Sequence, residues 1–259
     1  MRKSLLVLAL ALLLAGCSAA PAGETPPAAE SLSQEEPVAV ARCRVVDGAG
    51  TNTLVLAGLD GGAGEVYTLG TEELAVEGEL VDGAVVEVQF DGAIMESYPA
   101  QFSGVTGVRV TEQPVDDRCG LYLQVLEDLW EVDPGLNTDL EELGVDFSGL
   151  TDLTESEKSA LAWVFGNAHG LMPITGTLDE LWQAGYLTPM MEPAEGQEDS
   201  VALYRWENGC LFSLSGSAEE GFTAQKWASG LGAYLFSDCT AVQDADGTWS
   251  YTVGAEAIS

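Results

Sequence analysis

Residues Ala39-Val40-Ala41-Arg42-Cys43-Arg44-Val45-Val46-Asp47-Gly48 decide how the first half of the chain is read. Ala39, Ala41, Cys43 and Val45 alternate with Val40, Arg42, Arg44 and Val46, the period of a strand with one face on a core, and Asp47-Gly48 breaks the run. Short runs of the same kind follow at Thr53 to Leu59, Val66 to Leu69, Val85 to Phe90, Ala93 to Glu96 and Val105 to Thr111, with Gly-rich turns such as Asp60-Gly61-Gly62 between them. Thr71 to Val76 has room for one helical turn. So many short strands over residues 38–112 predict a small closed or partly closed β-barrel, because closure removes exposed sheet edges.

Toward the C-terminus, Gln113 to Arg118 carries Pro114 and the pair Asp116-Asp117 and reads as a domain boundary. Leu121, Tyr122, Val125, Leu126, Leu129 and Trp130 then recur at helical spacing until Asp133-Pro134-Gly135. Thr154-Glu155-Ser156-Glu157 is a capping box opening a helix with Ala160, Leu161, Val164, Phe165 and Ala168 inward, stopped at Gly170. Thr177-Leu178-Asp179-Glu180 opens a shorter helix. Val201 to Trp206 and Cys210 to Ser215 flank Asn208-Gly209, a hairpin signal, and Thr223 to Ala228, Ala233 to Val242 and Thr248 to Val253 complete an antiparallel meander. Helices followed by strands predict an α+β domain over residues 118–259, with its helices against one face of an antiparallel sheet. The expected fold class is therefore α+β overall, an all-β barrel followed by an α+β domain.

Toward the N-terminus, Arg2-Lys3, the apolar run Leu5 to Leu14, and Ala15-Gly16 directly before Cys17 form a secretory signal ending in a lipobox. The apolar run is shorter than the ~20 residues of a comfortable membrane span. The pattern resembles the bacterial lipoprotein signal, which implies cleavage of residues 1–16, lipid attachment at Cys17 and stable anchoring by more than one acyl chain. Residues 17–37, rich in Ala, Pro, Glu and Ser, read as a flexible stalk.

A second resemblance rests on Val85-Val86-Glu87-Val88-Gln89-Phe90-Asp91-Gly92 and its continuation Ile94-Met95-Glu96-Ser97-Tyr98-Pro99-Ala100-Gln101. This stretch resembles the end of the YobA-like, OB-type barrel domain of many Firmicute lipoproteins and secreted proteins, a family with no established activity. Its firmest part is Gly-x-x-x-Glu-Ser-Tyr-Pro-Ala-Gln. Within it, Pro99 excludes a ladder donor and Tyr98 is expected to cap the barrel with its ring. Gly120 to Trp130 and Lys226-Trp227 resemble an uncharacterised domain of Clostridia-type lipoproteins.

Nine Lys and Arg stand against 42 Asp and Glu, and loss of Arg2 and Lys3 with the signal takes the formal charge from -33 to about -35. Such a field repels phosphate backbones and anionic lipid, so no nucleic-acid partner is expected and tethering falls to the lipid. Arg42, Arg44 and Arg109 should point away from the barrel core, either pairing with carboxylates such as Glu87 or Glu112 or contacting an anionic or glycan ligand. Outside the cytosol Cys43, Cys119, Cys210 and Cys239 permit two disulfides. Cys210 with Cys239 is the preferred pair, both lying on predicted strands; Cys43 reads either as Cys119's partner or as a core thiol.

Catalytic signatures are sparse. His169, the only histidine, precedes Gly170 and reads as a helix C-cap. Neither a Gly-x-Ser-x-Gly elbow nor HExxH occurs. Asp244-Ala245-Asp246-Gly247 begins like a calcium loop but lacks the later ligands, so it reads as a turn. Glu141-Glu142, Asp179-Glu180 and Glu219-Glu220 read as solvated faces, and the tryptophans mostly as core, with Trp163 off its helix's apolar stripe and Lys226-Trp227 as an exposed rim. The expectation is an extracytoplasmic, membrane-anchored binding or accessory module of the cell envelope, without cofactor, engaging an envelope protein or wall glycan. The alternatives are a carboxylate-dependent hydrolase of extracellular glycan and a calcium-dependent structural module.

Overall fold

The computed structural model describes residues 38–62, 64–191 and 203–259. The expected signal, Cys17, the expected stalk and the first residues of the expected Val201 to Trp206 strand lie outside the described residues.

The first sheet holds β1 (Ala39–Asp47), β2 (Thr53–Gly58), β3 (Val66–Gly70), β4 (Val76–Glu77), β5 (Val85–Phe90), β6 (Ile94–Met95), β7 (Ala100–Phe102) and β8 (Gly107–Val110), in the order β4-β8-β5-β1-β2-β3-β7-β6. Cys43 and Val45 of β1 turn inward with Leu54, Leu56, Val86 and Val88 to form its core. Val46, Val55, Ala57 and Val66 face the other way, yet they too are buried, in a second and larger core. That double burial explains why Leu54-Val55-Leu56-Ala57 is continuously apolar instead of alternating. A register shift between Val45 and Asp47 bends β1.

The layer against this outer face is helical. In α1 (Arg118–Glu131) Leu121, Tyr122, Val125, Leu126 and Leu129 are buried, and Asp117 caps the start by accepting from the Gly120 amide. Both expected capping boxes are present, Thr154 with Glu157 opening α2 (Glu155–Ala168) and Thr177 with Glu180 opening α3 (Leu178–Gln183). α2 packs on β1, β2 and β3 and, through its other flank, on the second sheet.

That sheet contains β9 (Glu142–Leu150), β10 (Pro173–Thr175), β11 (Thr188–Pro189), β12 (Tyr204–Arg205), β13 (Gly209–Ser217), β14 (Gly221–Ser229), β15 (Gly232–Gln243), β16 (Trp249–Thr252) and β17 (Ala255–Ile258). Phe212, Leu214, Phe222, Ala224 and Phe236 meet Leu126, Leu129 and Phe165 of the helices in the same core that takes in Val46 and Val55. The helices are thus shared between two sheets, and Glu36–Ser259 forms one compact unit. The fold is largely β, with few helices and two sheets.

Three expectations need correction. The second sheet is mixed, not antiparallel, because β9, which the sequence reading did not identify, pairs in parallel with both β13 and β10. Asn208-Gly209 does not close a hairpin: β12 and β13 both run antiparallel to β14, so the chain continues in one direction through a kink. The glycine is needed for close approach instead, since a Cβ at Gly209 would lie 2.2 Å from Nε1 of Trp206.

The third correction concerns Cys210 and Cys239. Among the described residues, Cys43, Cys119, Cys210 and Cys239 are buried free thiols. Phe222 pairs with Gly216 on one side and Cys239 on the other, so Cys210 lies six residues up a different strand from the level of Cys239. That is about 20 Å at strand rise, against a Cα separation of roughly 4.4–6.8 Å in a disulfide. Burial pushes the Cys210 thiol up to about 12 and Cys239 up to about 11, and Cys43, likewise pushed to about 12, is a core residue of the first sheet.

Candidate functional site

The arginines singled out by sequence are all engaged by the protein itself. Arg42 Nη1 donates to Asp60 Oδ1 at 2.9 Å, and Arg109 pairs with Glu87. Arg44 Nε lies 2.6 Å from Oε1 of Glu157, and its Nη1 donates to the Gly83 carbonyl at 2.8 Å. Arg42 and Arg44 share a strand face, but the three guanidinium groups answer to three separate carboxylates and form no common anion site.

His169 is the C-cap residue of α2, stacked on Trp130 at 3.6 Å with Nε2 3.1 Å from Glu127. Asp244 to Gly247 turns β15 into β16, with Asp246 Oδ1 accepting from the amide and hydroxyl of Thr248. Lys226 is not a rim residue. It is fully buried, and its Nζ donates to the carbonyls of Trp130, Val132 and Asp133 at the end of α1 and to Asn137 Oδ1.

A cleft of about 260 Å³ opens where α2, β9 and the start of α3 meet, lined by Asp146, Glu155, Lys158, Thr175 and Glu180 together with Phe147 and Ala162. Its carboxylates are already in use. Glu155 pairs with Lys158 at 2.9 Å, Asp146 accepts from Ser148, and hydrogen bonds from Thr177 hold Glu180 below the usual carboxylate range. A glycoside-cleaving general acid needs its carboxyl moved upward, so Glu180 is shifted the wrong way for that chemistry.

A second candidate surface is the β6 edge. β6 pairs with β7 through Ile94↔Phe102 and Met95↔Gln101 and ends the strand order on this side. Ile94, Met95 and Tyr98 are 45, 50 and 54% exposed, a local concentration of large apolar side chains. Ile94 and Tyr98 border a depression of about 340 Å³ completed by Glu65, Tyr67 and Ala100. Tyr98 therefore stands outside the core of the first sheet; Phe102 lies within it, stacked 4.3 Å from Tyr67 and tilted 4.9 Å from Phe90. The Tyr98-Pro99 bond is cis, and the Ser97 hydroxyl donates to the Pro99 carbonyl at 2.7 Å. Glu65 is fixed from beneath, accepting from the Tyr67 hydroxyl at 3.0 Å. The motif marks this segment but not its exposure, for which the sequence signal is Ile94 and Met95 in a two-residue strand between Gly92 and Pro99.

Searches of protein-family models, curated proteins and solved structures found no match to this chain.

Proposed function

We propose that the chain is an extracytoplasmic lipoprotein of the bacterial cell envelope, tethered through lipid on Cys17, whose OB-type barrel offers the β6 edge to an envelope protein as a non-enzymatic binding module. The observation that carries the binding part is the exposed trio Ile94, Met95 and Tyr98 at an open strand edge, with Ile94 and Tyr98 lining a shallow depression there. Tyr is enriched at interface hot spots, and Met adapts to irregular partner surfaces. Ile94 and Met95 offer a glycan no hydrogen-bonding group, which favours a protein partner over a wall glycan. The tether is supported by the residues around Cys17, and the OB-type assignment by the resemblance of Val85 to Gln101 to YobA-like domains. Among the described residues no helix is long and apolar enough to cross a membrane.

The tether is tested by intact mass and cell fractionation. Wild-type protein should carry added lipid mass and sediment with membranes, and Cys17→Ser should lose both. Membrane retention of Cys17→Ser alongside an unlipidated wild type overturns the tether. For the binding edge, Ile94→Ser and Tyr98→Ser should leave stability within about 0.5 kcal/mol, as surface changes do, while releasing the envelope partner; retention of the partner by both variants overturns the edge.

A further inference from the structure

A second concavity, on other elements than the β6 edge, is bordered by groups of a different chemistry. It measures about 300 Å³ and lies between the β1–β2 end of the first sheet and helices α1 and α2. Val55 and Val164 are buried in its floor, Trp163 and Leu123 form half-buried walls, and Asp47 and Glu127 bring two carboxylates. No Lys or Arg lines it.

The two carboxylates differ in how they are held. Glu127 Oε2 is steadied by His169 Nε2 at 3.1 Å. Asp47 has no side-chain hydrogen bond or ion pair among the described residues, and its charge raises the carboxyls of both Asp82 and Asp117. The region around Asp47 is thus short of positive charge in a cleft whose apolar walls focus the field. Trp163 adds a ring that packs against the core on one side and borders the cavity on the other. An aromatic face beside carboxylates attracts a cation with an apolar stem, through the ring quadrupole and the charges together. An anion would be repelled, and a neutral apolar guest would desolvate Asp47 without compensation.

We infer that this cleft binds an organic cation, an alkylammonium or guanidinium group, seated against Trp163 with Asp47 and Glu127 as its counter-ions. The group is supplied either by a free amine or by the side chain of a basic residue in a peptide.

The experiment is titration of the full chain, followed through the Trp163 indole N–H resonance, with n-butylammonium, Nα-acetyl-lysine-methylamide, 1-butanol and butyrate at constant ionic strength. Saturable shifts with one or both cations and none with butanol or butyrate are expected. Stronger binding of n-butylammonium identifies a free amine, stronger binding of the lysine derivative a basic residue. Asp47→Asn, an isosteric change, should weaken binding about tenfold, and Trp163→Leu, titrated by calorimetry because it lacks the reporter ring, at least as much. The inference is overturned if butanol matches butylammonium, if Asp47→Asn binds the cations as wild type does, or if neither cation shifts the resonance.

Discussion

Lys226 shows how far a single residue was legible. On β14 it follows Phe222 and Ala224 at period two, and both of those are buried, so the alternation assigned it to the core face. Its charge argued the opposite, and the charge was the weaker guide because the end of α1 supplies the carbonyls that an ammonium needs. Burial lowers its pKa, with nearby Cys210 and Asp133 opposing. Lys226→Met, which fills the space but leaves those carbonyls and Asn137 unsatisfied, should cost about 3 kcal/mol in urea unfolding. Asp117 gives a pH-dependent case. Burial pushes its carboxyl up to about 6, opposed next by the hydrogen bond from the Gly120 amide and aided by lesser contributions from Asp82, Asp116 and Asp47. The folded state therefore holds this proton more tightly than the unfolded chain. The contribution to stability is full below about pH 4 and is lost as pH rises through about 6. Asp117→Asn keeps a capping oxygen and stays neutral, so it should be more stable than wild type at pH 7, with the advantage vanishing toward pH 4.

Among elements, the helices were legible because capping chemistry is local: Thr154 and Glu157, and Thr177 and Glu180, sit three residues apart and announce their own termini. β9 was not legible. Its parallel partners β10 and β13 come later in the chain, and Gly144 and Gly149 interrupt its apolar pattern where Trp206 and Ser215 approach. Asn208-Gly209 misled for a related reason, since Gly209 answers the Trp206 ring and not a turn. The first turn of α2 also has a role its sequence concealed. Glu157 closes the capping box through Thr154 and at the same time receives Arg44 from β1, with its side chain 8% exposed. Glu157→Ala strands a half-buried guanidinium and uncaps the helix, and should cost about 3–5 kcal/mol. In a double-mutant cycle with Arg44→Ala, a coupling of at least about 1 kcal/mol is expected; additive losses would mean the pair does not tie β1 to α2.

For the whole molecule, the barrel and the α+β region read as separate domains because Gln113 to Arg118 has the composition of a linker. In the structure that segment is bonded on both sides, with the Asp116 amide donating to the Gly83 carbonyl and Trp249 Nε1 to Asp116 Oδ1. Val46, Val55, Ala57 and Val66 lie in the core built by α1, α2 and the second sheet. Residues 38–112 and 118–259 should therefore unfold in one calorimetric transition with equal calorimetric and van't Hoff enthalpies; two resolved transitions would contradict the shared core. The candidate edge was half legible, since the motif marked Ile94 to Gln101 but its outward face depends on Phe102 taking the inner position beside Tyr67 and Phe90. The most direct test of the role proposed for that edge is photo-crosslinking in intact cells, with benzoylphenylalanine placed at Tyr98 or, as a comparison, at exposed Gln243. A discrete protein adduct in the membrane fraction from position 98, absent from position 243, is the predicted result. No adduct from position 98, or the same adducts from both positions, would contradict a partner-binding edge at β6.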